Sequence, residues 1–216
     1  MSTKYRAFLC VAGVLVAASC ATTAPLPSIT ESAVRIMANG CRSVDVQGAG
    51  LMVAKGRIAT VAHVVAGATT ITVSGLHGTR PATVVYFDPI NDVAVLNVDP
   101  DVAAPIAIGD AGPGDHGEVV VYRDGAPVVL PADVRRRVDI RTADIYGEGK
   151  HLRPGYELGL DIRAGDSGAT VVVDGKAVAL VWAISRVAEA RAWAMRTSLI
   201  ADHLTATDSV DNGVCA

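Results

Sequence analysis

From residue 44 to residue 205 the chain is a series of short apolar runs broken by glycine, proline and aspartate. Runs at 50–54, 57–61, 69–73, 82–87 and 93–98 have strand length and are rich in Val, Ile and Thr. The breaks between them, at Lys55-Gly56, Gly75, Gly78 and Asp88-Pro89, carry turn chemistry. Residues 99–117 hold Pro100, Pro105 and Pro113 and read as a crossing between two halves. A second set of runs follows at 118–122, 126–130, 134–140, 156–162, 169–173, 177–184 and 190–196. Residues 31–38 are expected to form a short helix or an extended arm, and residues 198–204 a short terminal helix. There is no βα alternation and no repeat, so the pattern predicts an all-β barrel or sandwich in two halves of similar size.

The length of 216 residues suits one domain, and aromatic residues make up only 4% of it, so the core is expected to be built from Val, Ala, Ile and Leu. A net charge of -3 and a pI near 5.9 leave no basic footprint for nucleic acid. Residues 1–24 read as an export signal: Lys4 and Arg6 precede an uncharged run over 7–18 and then small residues. Val16-Ala17-Ala18-Ser19-Cys20 resembles a bacterial lipoprotein box, which makes Cys20 a candidate for lipidation. The alternatives are a simple cut near Ala21 or Ala24 and a retained anchor. Either the lipid or the anchor would be the only membrane contact. Residues 25–34 are then a linker and 35–216 the domain, exported to the periplasm, cell envelope or exterior. Cys41 and Cys215 lie near the two ends of that domain and are candidates for one disulfide. No His/Cys/Asp/Glu spacing suggests a metal, and no cofactor is expected.

The stretch with the sharpest chemistry is Gly165-Asp166-Ser167-Gly168, followed at once by an apolar run. Read blandly it is a hairpin turn. Read as chemistry, it holds a serine on a tight turn with the N–H groups of Gly165 and Ser167 aimed into one pocket, as an oxyanion hole requires. A serine hydroxyl needs an adjacent base, itself held by a third group. Upstream lie Thr60-Val61-Ala62-His63 and Asp92-Val93-Ala94-Val95-Leu96. Asp88 competes with Asp92 for the third role, but it precedes Pro89 and reads as a turn residue.

These three stretches, in the order His, Asp, Ser, resemble the motifs of the chymotrypsin-like serine proteases over residues 35–205. The resemblance implies two six-stranded antiparallel β-barrels, with His63, Asp92 and Ser167 as catalytic triad and Gly165 and Ser167 as oxyanion donors. It implies a polypeptide substrate and a monomer. Asp161, six residues before Ser167, stands where trypsin-like relatives place the base of the specificity pocket. Residues 136–147, ending in Ala-Asp-Ile-Tyr-Gly, and the end cysteines are similar to the actinobacterial acid-resistance periplasmic proteases. That likeness implies a cell-envelope protease with a redox-sensitive Cys41–Cys215 bridge. Two departures stand out. Ala169 replaces the last glycine of the family's serine motif, and Asp166 has no trypsin-type N-terminus to pair with. Two rival readings follow: a catalytically dead, protease-like binding module, and an α/β-hydrolase esterase built on Ser167, Asp174 and His203.

Overall fold

Along residues 34–39 every second side chain is buried: Val34, Ile36 and Ala38 point inward while Arg35, Met37 and Asn39 are half exposed. That period of two makes β1 (Ala33–Asn39) a strand, where the sequence suggested a helix or arm. The helical signal was real but short. Ser28 and Glu31 form a capping box that starts α1 (Ile29–Ser32), and the period changes directly after it. The computed structural model describes residues 27–41, 43–185 and 187–216. The signal region and Cys20 lie outside the described residues.

Five further strands complete a first barrel: β2 (Val46–Ala54), β3 (Arg57–Thr60), β4 (Thr70–Gly75), β5 (Gly78–Asp88) and β6 (Val93–Val98). Their order is β1-β2-β3-β6-β5-β4, closed by pairing of β1 with β4. The second barrel contains β7 (His116–Arg123), β8 (Ala126–Thr142), β9 (His151–Gly159), β10 (Thr170–Val173), β11 (Lys176–Ile184) and β12 (Arg191–Arg196). It runs β10-β11-β12-β9-β8-β7 and closes through β10 and β7. This is the expected double barrel, with every neighbouring pair antiparallel. One strand differs from expectation. The runs at 126–130 and 134–140 form a single β8, because residues 126–132 pair only with β7 and leave Pro131 at an open edge that its missing N–H tolerates. A bulge between Val134 and Arg136 then lets the strand turn onto β9.

Each barrel is filled by aliphatic side chains, such as Ile36, Leu51, Ile58 and Leu96 in the first and Val119, Val121, Leu158 and Val171 in the second. The fillings are not independent. Ala177, Leu180, Met195 and Ile200 from the second half pack into the first cluster, and Ala49 of β2 packs into the second. The halves therefore share a buried seam along β2. After a 3₁₀ helix at Thr197–His203 the C-terminal tail returns to the first barrel. There the Asn212 side chain donates to the carbonyls of Val65 (2.6 Å) and Ala68 (3.0 Å), and Cys215 is disulfide-bonded to Cys41.

Candidate active site

β3 ends in the buried Thr60, and the chain turns at once into a four-residue helix, α2 (Ala62–Val65). Ala62, Val64 and Val65 are buried, which leaves His63 as the one α2 side chain facing outward, 30% exposed. Asp92 approaches it from the turn joining β5 to β6. That turn is shaped by Asp88, whose carboxylate accepts from the N–H groups of Ile90 and Asn91 and from the Asn91 side chain. Asp92 closes the turn at φ 57, a left-handed conformation that Asp tolerates better than most residues, and is 2% exposed. One carboxylate oxygen accepts the His63 N–H at 2.9 Å, and the other lies 2.9 Å from Nδ1. The imidazole is thereby fixed with Nε2 as its free nitrogen.

Ser167 comes from the other barrel, and β2 brings it to this place. The Ser167 carbonyl accepts the Ala49 N–H at 2.8 Å. A Cβ on Gly48 would lie 2.6 Å from Val64, the neighbour of His63, and 3.0 Å from the Ser167 carbonyl. Gly168 is fitted as tightly. It has φ 85, and a Cβ there would lie 2.2 Å from the Ala49 carbonyl and 2.4 Å from the Thr60 hydroxyl. Only glycine serves at that position. The serine loop and the His63 helix therefore meet against the same stretch of β2, Gly48 and Ala49. Among the described residues the Ser167 hydroxyl makes no hydrogen bond to His63, a contact that is often long without substrate and tightens in the complex.

Alternate N–H groups of the loop are used differently. Those of Asp166, Gly168 and Ala169 donate to the carbonyls of Arg163, Val181 and Asp166. Among the described residues those of Gly165 (φ 92) and Ser167 donate to no backbone carbonyl. Ala169 is fully buried and lies outside the left-handed region, so its methyl strains nothing and packs with the second core. The partner of Asp166 is Arg123 on β7, which no motif indicated. Its guanidinium grips the fully buried carboxylate with both terminal nitrogens, Nη2 at 2.6 Å, and the Arg163 N–H adds a third bond at 2.8 Å. Those hydrogen bonds hold the Arg123 guanidinium above its ordinary value. The only signal in the sequence was the unpaired Asp166 itself, which demanded a cation without saying which of 19 Lys and Arg residues supplies it.

A depression of about 320 Å³ opens beside Ser167, lined by Ile162, Arg163, Ala164, Trp182, Ala183 and Ile184. Asp161 is exposed and does not line it. Asp161 faces two neighbouring depressions instead, one of them shared with Glu189 and Arg191, and Ile162 and Ile184 separate that space from Ser167. Asp174 and His203, the remaining members of the esterase alternative, lie in the β10–β11 turn and in the terminal 3₁₀ helix, where His203 stacks on Tyr86 at 3.6 Å.

Comparison with known proteins bears on the family and the fold. The profile of the trypsin-like peptidase domain matches residues 48–180. Serine protease Rv3671c of Mycobacterium tuberculosis is 32% identical over 205 residues, an alignment covering 88% of this chain and 51% of the relative. This chain thus spans about half the length of the curated relatives it matches. The crystal structure of the active form of the Rv3671c protease superposes with a TM-score of 0.79 at 29% identity, covering 87% of this chain and 86% of that one. The inactive form gives 0.67, covering 82% and 88%. The HtrA-type protease AlgW with a tripeptide, at 20% identity and a TM-score of 0.64 over 79% of this chain and 57% of that one, shares the fold.

Proposed function

Because this chain belongs to the trypsin-like peptidase family, we propose that it is a serine endopeptidase using Ser167 as nucleophile, His63 as base and Asp92 as orienting carboxylate. The observation that carries the proposal is the double engagement of His63 by Asp92 beside a serine loop that leaves two N–H groups unspent. In this reading the Ser167 hydroxyl attacks the scissile carbonyl while its proton passes to Nε2 of His63. Asp92 keeps the proton of Nδ1 in place and stabilises the imidazolium that forms. The N–H groups of Gly165 and Ser167 take the oxyanion. His63 then gives its proton to the leaving amine as the C–N bond breaks, and water, deprotonated by His63 in turn, hydrolyses the acyl-enzyme to free the acid product and restore the Ser167 hydroxyl.

Substrate preference follows from the depression beside Ser167. Ile162, Trp182 and Ile184 give it apolar walls beside the Arg163 side chain, so an apolar residue before the scissile bond is favoured over a basic one. Asp161 supports no selection for Lys or Arg, because it opens elsewhere. The pairing of Cys41 with Cys215 and the signal-like N-terminus support a place outside the cytoplasm. The higher similarity to the active than to the inactive form of the Rv3671c protease supports a competent site over a dead binding module. The test is incubation with unfolded polypeptides and identification of new N-termini by mass spectrometry. Cuts after apolar residues that vanish with Ser167→Ala are expected. Equal cutting by that variant, or no cutting by folded wild-type protein, would refute the assignment.

A further inference from the structure

Behind the triad lies a cation that the mechanism above does not use. Arg153 on β9 is 1% exposed and belongs to the second barrel, yet its head reaches the β5–β6 turn of the first. Its Nε donates to the Ile90 carbonyl at 2.5 Å and its Nη2 to the Ala143 carbonyl at 2.8 Å. Its guanidinium lies over the Trp182 ring, 5.0 Å from the centroid, on the wall of the depression at Ser167. The remaining nitrogen, Nη1, stands 3.7 Å from Oδ2 of Asp92. That is the same oxygen that faces Nδ1 of His63. The charged groups around Arg153 are Asp92 from the turn, Asp88 from the end of β5 and Asp144 from the segment after β8; β11 contributes only the neutral indole. His63 faces Asp92 from α2. Burial lowers the affinity of Arg153 for its proton, and these three carboxylates oppose that effect.

We propose that Arg153 is a positioning residue of the triad: fixed by two main-chain carbonyls, it holds the Asp92 carboxylate against His63 and offsets part of the charge the imidazole feels. An imidazolium gains less from a carboxylate that already faces a buried cation. Removing that cation would let Asp92 favour the imidazolium more strongly, so the pH at which labelling is lost on acidification reads the contribution of Arg153. A purely structural strap between the barrels would change stability and leave the pH response untouched.

The inference rests on the protease reading, and the experiment separates the two. The rate of fluorophosphonate labelling of the full chain is measured across the titration range of an imidazole for wild type, Arg153→Met and Arg153→Lys. Labelling needs no known substrate and depends on the neutral base. Absence of labelling in wild type would strike the protease reading. With wild type labelled, the acid limb of Arg153→Met is expected to move to higher pH by about one unit. Arg153→Lys keeps the charge but cannot reach both carbonyls, so its midpoint stays near wild type while its plateau falls about tenfold. A folded Arg153→Met protein with the wild-type midpoint overturns the proposal. Should that variant not fold, Arg153→Lys decides: a plateau equal to wild type means the guanidinium positions nothing.

Discussion

Replacing Arg123 with Met removes the counter-charge of a carboxylate that has no access to water. Asp166 is fully buried, Arg123 is 18% exposed, and of the three hydrogen bonds the carboxylate accepts from these neighbours only that from the Arg163 N–H survives. Stranding one partner of a buried pair costs about 3–5 kcal/mol. In a domain of this size each kcal/mol lowers the melting temperature by about 2–4 °C, so a fall of about 10 °C is expected. The chemical effect is separate. Asp166 lies between the two N–H groups proposed as oxyanion donors, and a carboxylate driven toward water would carry both out of place. Loss of one such donor costs on the order of 10²–10³ in turnover. Calorimetry and fluorophosphonate labelling read the two effects in one preparation, with the exposed Arg141→Met as a control expected within about 0.5 kcal/mol of wild type. Adding Asp166→Asn to Arg123→Met should recover part of the melting temperature, because an amide needs no counter-charge. An Arg123→Met protein that melts within about 2 °C of wild type and labels at the same rate would refute this reasoning.

Gly168→Ala should abolish labelling and destabilise by about 2–3 kcal/mol, since a methyl at φ 85 meets the Ala49 carbonyl at 2.2 Å; urea unfolding and labelling check it. Reduction of Cys41–Cys215, whose partners are 174 residues apart, should lower stability by up to about 5 kcal/mol, measured by unfolding with and without reductant. Asp110 is held below its ordinary value of 3.8, first by the hydrogen bond from the Tyr156 hydroxyl. Because its folded value is depressed, its contribution is complete above that ordinary value and is lost as pH falls through the folded one. Thermal unfolding of Asp110→Asn should accordingly show a flatter loss of stability at acid pH than wild type.

The strands and the chemistry were legible to different depths. Residues 93–98 are β6 to the residue, because a buried strand between a turn and a Pro-rich crossing has only one way to end. β1 was hidden by the capping box directly before it, which reads as a helix start whatever follows. β8 was split by Pro131, since a sequence does not say which strand edges are open. At the site, His63, Asp92 and Ser167 were candidates because each sits in a local motif. Arg123 and Arg153 were not, because each is defined by a carboxylate 43 or 61 positions away and belongs to no motif. Asp161 was a weaker expectation than these. Its place was inferred by counting back from Ser167, but the residue lines a depression shared with the loop after β11 rather than the one at Ser167, and a count along one segment carries no information about that loop.

His63, Asp92 and Ser167, drawn from the two barrels, are proposed to form one working site. The most direct measurement is peptide mapping of the fluorophosphonate adduct on folded wild-type protein, with His63→Ala and Ser167→Ala beside it. A single adduct on Ser167, lost in both variants, is expected. An adduct elsewhere, or labelling of Ser167 that persists without His63, would contradict it.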